Sequence, residues 1–205
     1  MDEVTKVATN VAAALKVMHE TYEATHKLFV ELASLAPDHG LTQLNPHFLR
    51  WRSDTDWNSW ALASLVHLFH HDPESGQAAD VLVVLEVNLW GWDRTELATP
   101  QLLLSAMRFP GVDVSTLRAG QAEHWRYYNP VHDHSGEFER SAPEGRAGLA
   151  LLRSRPRTTR LREQYQGLAE VVTHATDLIQ ISSKEALAKV LDRLPELEAA
   201  LTPGD

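Results

Sequence analysis

Five arginines lie within ten residues, in RSRPRTTRLR at positions 153–162, although the chain carries a formal net charge of −9. They are Arg153, Arg155, Arg157, Arg160 and Arg162. The guanidinium group donates paired hydrogen bonds to carboxylates and phosphates, so such a cluster is typical of an anion-binding surface. A predicted helix follows, and its positive N-terminal dipole disfavours nearby cations unless an anion compensates them. That anion is either an acid of the same chain, such as Glu137 or Glu139, or phosphate, nucleic acid or an acidic partner protein.

A sixth arginine, Arg126, lies among aromatic residues in HWRYYNP at 124–130. Aromatic side chains interleaved with cations form stacking platforms for single-stranded nucleic acid. The same alternation predicts a β-strand over 124–128 that buries Trp125 and Tyr127. We predict the strand, and we include Arg126 in the candidate docking surface.

Histidine is the second residue type that is clustered enough to form a functional site, with 11 in the chain. Two short motifs, HLFHH and HDH, contain His67, His70, His71, His132, Asp133 and His134. Imidazole and carboxylate are ligands of zinc and related divalent metals, so a metal-dependent hydrolase or nuclease is one alternative. In a strand the side chain of His70 points away from those of His67 and His71, so these three histidines can bind one metal ion only if 59–71 is a helix. The Pro and Gly of HHDPESGQ instead favour a hairpin and a strand, which leaves these histidines at solvated element ends.

The stretch DVLVVLEVNLWGW at 80–92 alternates with the period of a β-strand. Glu86, Asn88, Trp90 and Trp92 then share one face, which we predict to be partly solvated. Aromatic residues beside a few polar groups are typical of a ligand pocket, so a small-ligand sensor is a further alternative. Packing of the indoles into the core explains the same residues without a ligand.

Composition narrows the function classes. The 28 acidic against 19 basic residues argue against a chain that binds nucleic acid over its whole surface. The absence of cysteine excludes disulfide frameworks and thiolate chemistry. The start MDEVTKV lacks the basic, apolar pattern of a secretion signal, and no apolar run approaches the roughly 18 residues of a membrane span. We therefore expect a soluble cytoplasmic protein without membrane association.

The common catalytic patterns GxSxG, HExxH, Walker A and GxGxxG are all missing from the sequence. We therefore favour a protein that is not an enzyme, and we predict no cofactor, with a divalent metal at the histidines as the alternative.

The elements that position these residues fall into three regions. Residues 3–36 form a predicted amphipathic helix with an apolar stripe, which allows a homodimer through this helix. The stripe begins with Val4, Val7, Val11, Leu15 and Met18. The sheet region, 46–153, holds predicted strands at 46–52, 59–71, 80–92, 99–109 and 124–128, with a further short strand at either 148–153 or 137–140.

Residues 158–201 are predicted to be helical, since an apolar stripe recurs at three- and four-residue steps. It comprises Leu161, Tyr165, Leu168, Val172, Ala175 and Ile179. The sequence therefore predicts a single α+β domain, 1–205, with a mainly antiparallel sheet and with the C-terminal helices and the first helix on one sheet face. The predicted function is an accessory protein that docks a partner protein or nucleic acid through its arginines.

Overall fold

The computed structural model describes residues 3–50, 64–72, 79–89, 99–120, 123–133, 136–142 and 151–202. The chain forms two compact units, Met1–Leu35 and Ala36–Asp205. The first unit is helix α1, Glu3–Leu35, which confirms the predicted N-terminal helix. A 3-10 turn, Ala36–His39, follows it, and Gly40 then adopts a positive φ of 67°.

The second unit is built on an antiparallel sheet, which confirms the predicted α+β class. Its strands are β1 (Leu41–Gln43), β2 (Leu49–Arg50), β3 (Ser64–His71), β4 (Val81–Asn88), β5 (Gln101–Arg108), β6 (Phe138–Ser141), β7 (Leu151–Pro156) and β8 (Glu170–Asp177). The order across the sheet is β1-β3-β4-β5-β8-β7-β6, and β2 also pairs with β3. Every paired neighbour is antiparallel.

Among the described residues, four short α-helices accompany the sheet. They are α2 (His124–His132), α3 (Thr159–Gln164), α4 (Lys184–Leu191) and α5 (Leu194–Ala200). Helix α2 packs against β3, β7 and β8, whereas α5 packs against β5 and β8. Within the described ranges, no helix is both long enough and apolar enough to cross a membrane.

Both faces of the central strands are covered, so the expectation of a partly solvated face on β4 is wrong. All eight residues of β4 are buried. On one face, Val84 and Leu103 share a core cluster with Tyr127 of α2. On the opposite face, His71 of β3 contacts Glu198 of α5. A strand covered on both sides loses the hydrophobic alternation that marks a solvated face.

Several predicted strands are confirmed. The ambiguous segment 59–71 contains β3, and residues 51–63 lie outside the described part of the chain. The strands predicted at 99–109 and 137–140 correspond to β5 and β6. Strand β7 begins at Leu151, near the end of the predicted strand at 148–153.

The strand predicted over 124–128 is wrong, because this segment forms α2. His124, Tyr127, Tyr128 and Val131 are all buried, at the three- and four-residue steps of a helix. The helix ends at Asp133, whose φ of 41° is left-handed and whose amide bonds to the carbonyl of Asn129. The tertiary contacts of this apolar stripe outweigh the local alternation around Trp125 and Tyr127.

The prediction of helices over 158–201 is also wrong in its first half, although the C-terminal helices α4 and α5 are present. Thr158 caps α3 by accepting a hydrogen bond from Leu161, but the helix ends at Gln164. Gln166 and Gly167 then take positive φ angles of 58° and 93°, which reverse the chain. The following segment EVVTHATD pairs with β5 and β7 as β8, as its β-branched residues favour.

Candidate functional site

A cluster of polar side chains is buried between the sheet and α2. We call it the Glu86 cluster, and it consists of Ser64, Glu86, Asn88, His124, Tyr128 and His132. Ser64 pairs directly with Asn88 across β3 and β4, and Val66 pairs with Glu86. Because side chains alternate along a strand, the three polar residues from the sheet share the face that α2 covers.

Helix α2 contributes three rings at four-residue steps, a spacing that places them on one side of a helix. The ring of Tyr128 is stacked between its neighbours, with centroid distances of 5.3 Å to His124 and 4.2 Å to His132. The stacking restrains both imidazoles. Their orientation toward the sheet is therefore set by the packing of α2.

Glu86 is the centre of the hydrogen-bond network. Its side chain is 1% exposed, and its sheet neighbours Val66 and Leu103 are apolar. Ser64 Oγ donates to Glu86 Oε1 over 2.7 Å. His132 Nε2 lies 2.9 Å from each carboxylate oxygen, so one N–H is shared between them. A carboxyl group in such a place destabilises the fold unless partners compensate its desolvation.

His124 is held in its neutral form. Burial lowers its pKa to about 4, while the nearby Glu86 acts to raise this pKa and His132 acts to lower it. Its Nε2 is 3.5 Å from Ser64 Oγ, at the long limit of a hydrogen bond. Because the hydroxyl hydrogen of Ser64 is already donated to Glu86, we assign the hydrogen of His124 to Nε2, as the donor in this contact. A neutral imidazole with hydrogen on Nε2 leaves Nδ1 as a bare acceptor.

Two buried acceptors of the cluster lack a hydrogen bond within the described ranges, His124 Nδ1 and Asn88 Oδ1. Both side chains are 4% exposed. Leaving such a group unsatisfied costs about 1–3 kcal/mol, so each is a position where a donor would be stabilising. Other buried polar atoms of the described residues also lack a hydrogen bond, but these two adjoin a buried carboxylate and stacked imidazoles.

The phenol of Tyr128 is neutral within the cluster. Burial raises the pKa of its phenol, and the neighbouring Glu86 raises it further, so the hydroxyl stays protonated at physiological pH. The cluster therefore offers a carboxylate, a neutral imidazole acceptor and an amide oxygen. It suits the recognition of a group that donates hydrogen bonds, such as an ammonium, an amide or a hydroxyl.

Only half of the predicted pocket face lies within the described residues. Glu86 and Asn88 lie in the cluster, side by side along β4. Trp90 and Trp92 lie outside the described residues. Sequence reasoning missed Ser64, His124 and Tyr128, because it assigned the segment of the last two to a strand. The four-residue spacing of His124, Tyr128 and His132 was the available signal.

The histidines of the predicted metal site are distributed over the two faces of the sheet. His67 and His71 lie on the face opposite Glu86, while His70 points to the same face as Val66. Gln43 Nε2 lies 2.6 Å from His67 Nε2, and Glu198 Oε1 lies 2.5 Å from His71 Nε2. Burial lowers the pKa of His67 to about 4.

The HDH motif is divided as well. His132 belongs to the Glu86 cluster, and Asp133 Oδ1 accepts hydrogen bonds from the amides of Glu137 and Phe138 at the end of α2. His134 lies outside the described residues. In the portion of the chain that the structure covers, no group of three or more His, Asp or Glu side chains is arranged to hold a metal ion.

Two of the five clustered arginines form ion pairs within the molecule. Arg155 Nε donates to Glu170 Oε1 over 2.8 Å. Arg153 Nε is 2.9 Å from the same oxygen, an ion pair in which the N–H is not aimed at the oxygen. Thr202 also donates its amide hydrogen to Glu170 Oε2, over 2.7 Å. We call this group, which ties the chain end to β7 and β8, the Glu170 clasp.

The remaining three clustered arginines and Arg126 differ in their contacts. Arg162 Nε donates to the carbonyl of Gly167 over 3.2 Å. Arg157 and Arg160 are exposed, and neither forms an ion pair with any residue that the structure describes. Arg126 lies over the ring of Trp125, with its guanidinium carbon 5.0 Å from the ring centroid. The predicted anion-binding surface is thereby reduced to Arg157 and Arg160.

Comparisons of the chain with protein-family models, with curated proteins and with solved structures find no significant match.

Proposed function

We propose that this protein binds a small molecule at the Glu86 cluster and that the bound group donates hydrogen bonds. The observation that carries the proposal is the buried carboxylate of Glu86 beside the unsatisfied acceptors of His124 and Asn88. A buried group whose pKa is shifted by desolvation beside a charged partner, as at His124 next to Glu86, is typical of functional sites. The role follows the small-ligand sensor interpretation of the sequence.

The chemistry of the cluster defines the ligand class. Glu86 repels anions, and the neutral His124 supplies no compensating positive charge. An ammonium, amide or hydroxyl group can donate a hydrogen bond to a bare acceptor, and an ammonium also compensates the negative charge of the carboxylate. Carboxylates and phosphates of similar size leave those acceptors unpaired and add a like charge.

The test is a thermal-unfolding screen with matched small molecules that carry an amine, amide, hydroxyl, carboxylate or phosphate group. A ligand that binds only the folded state raises the Tm, and a concentration of 100 Kd adds about 2.7 kcal/mol. We expect stabilisation by donors and none by the anions. Loss of the effect in Glu86→Gln, with its retention in Ser105→Ala, locates the site at the cluster.

Ser105→Ala is the matched control because Ser105 also lies buried on this sheet face, where it bonds to Thr173 over 2.8 Å. It removes one buried polar group without touching the Glu86 cluster. A screen in which no compound stabilises the wild type contradicts the proposal. Stabilisation that is unchanged in Glu86→Gln contradicts it equally.

The arginine-rich segment supports a second candidate function, the docking of a partner protein or nucleic acid. Its support is the exposure of Arg157 and Arg160 without ion pairs to the described residues. Two arginines that neutralise two phosphates give a salt slope near −1.8, or about a tenfold loss of affinity between 50 and 200 mM salt. Anisotropy of a labelled oligonucleotide measures this slope. Binding that is unchanged in Arg157→Glu with Arg160→Glu contradicts this function.

A further inference from the structure

The first five turns of α1 carry an apolar stripe that is exposed. Its side chains are exposed by 77% at Val4, 56% at Val7, 53% at Val11 and 60% at Leu15. The stripe continues along the helix, and it is buried from Thr25 onward, for example at Phe29. Helices in proteins gain most of their stability from packing of such an apolar face, so the exposed portion is a surface without its partner.

Between positions 5 and 28, the charges of α1 lie on the side opposite the stripe. In a heptad that places Val4 at position a, every charged residue between positions 5 and 28 falls at c or f. These residues are Lys6, Lys16, Glu20, Glu23 and Lys27. Two ion pairs lie along that side, Lys16 with Glu20 at 3.8 Å and Lys27 with Glu23 at 2.7 Å. Positions a, d, e and g are uncharged throughout this stretch.

We propose that the N-terminal half of α1 pairs with the same segment of a second copy of this chain. Charges at e and g normally select the partner of a helix and exclude wrong ones. A face without such charges brings no like charges together when two identical copies meet. Its apolar positions are also self-complementary, as the symmetric interface of a homodimer requires.

The size of the stripe sets the strength of the dimer. Residues 4–18 span about 21 Å at a rise of 1.5 Å per residue, or two heptads. Transfer energies imply roughly 60–120 Å² of apolar surface for a fully exposed aliphatic side chain. Burying the exposed stripe of both copies then removes several hundred Å², well below the ~1,600 Å² of a standard stable interface. The dimer is therefore weak and depends on protein concentration.

Sedimentation velocity from about 1 μM to about 1 mM protein tests the proposal, since the expected Kd lies in that range. We expect the wild type to shift from monomer to dimer. Val11→Glu with Leu15→Glu places charges at positions a and e, and it should weaken the dimer at least tenfold. Ala13→Glu with Thr9→Glu adds the same charge at positions c and f, and its Kd should stay within about threefold of the wild type.

Far-UV circular dichroism verifies that each variant keeps α1, as expected because all four sites are exposed. A wild type that stays monomeric across the whole range overturns the proposal. A helical Val11→Glu, Leu15→Glu variant that dimerises as strongly as the Ala13→Glu, Thr9→Glu control overturns it as well. Neither outcome bears on ligand binding at the Glu86 cluster.

Discussion

Acidification from pH 7 to pH 5 should destabilise the protein through His67 and His124. Burial lowers the pKa of each imidazole to about 4, against 6.5 for the exposed side chain. At pH 5 the unfolded chain binds a proton at both positions, whereas the folded protein leaves both neutral. The free energy of unfolding therefore falls as the pH falls through 6.5, and the loss stops growing only below about pH 4.

The magnitude follows from the size of the pKa differences. One pKa unit corresponds to 1.36 kcal/mol, so a histidine lowered to about 4 loses roughly 2 kcal/mol between pH 7 and pH 5. Together, His67 and His124 lower the free energy of unfolding by about 4 kcal/mol between pH 7 and pH 5, which is a large part of a typical total stability of about 5–15 kcal/mol. Ordinary Asp and Glu side chains titrate mostly below pH 5, so this window reports chiefly on histidines.

Urea unfolding at a series of pH values measures the effect. With a typical m value of 1–3 kcal/mol/M, a loss of about 4 kcal/mol lowers the midpoint by about 2 M. His124→Gln removes one titrating group, so about half of the pH-dependent loss should disappear. His67→Gln should act in the same way, because its imidazole is buried on the other face of the sheet.

His26→Gln, on an exposed position of α1, is the control and should retain the pH dependence of the wild type. The reasoning is refuted if the stability of the wild type changes by less than about 1 kcal/mol over this window. It is also refuted if His124→Gln keeps the full slope. Either result would mean that the folded protein accommodates the imidazolium as readily as water does.

Three substitutions test the packing and polar contacts of the second unit by urea unfolding. Glu170→Ala should lower the free energy of unfolding by about 2–3 kcal/mol. The loss is smaller than for a fully buried ion pair because the side chain of Arg155 is 44% exposed. An effect below about 0.5 kcal/mol would contradict the Glu170 clasp. Ser183→Ala should cost about 1 kcal/mol because Ser183 caps α4, and an equal effect of Ser182→Ala would argue against the cap. Leu68→Ala should cost about 2–5 kcal/mol through a cavity in the core, and a neutral effect would contradict its complete burial.

The sequence predicted the parts of the fold whose signal is local and long. Helix α1 has an apolar stripe along a helix of 33 residues, and strand β4 lies in a run of apolar residues rich in valine. The two errors in the type of element occurred where helix and strand periods coincide in a short window. Around α2, alternation of Trp125 and Tyr127 competes with the helical spacing of His124 and Tyr128, and only contact with the sheet decides between them.

The candidate site was predictable in its β4 portion alone. Alternation placed Glu86 and Asn88 on one face from sequence, since this depends only on the strand itself. The pairing of Ser64 with Asn88 and the docking of α2 are long-range contacts that no local pattern encodes. Likewise, the acid that engages Arg155 was Glu170 on the adjacent strand, and the acids of the preceding loop were the wrong expectation for this pair.

Native mass spectrometry after incubation with a metabolite extract tests the central claim most directly. The wild type and Ser105→Ala should retain a small molecule with amine, amide or hydroxyl groups, and Glu86→Gln should lose it. The account is contradicted if the wild type retains no molecule, or if Glu86→Gln retains the same mass to the same extent.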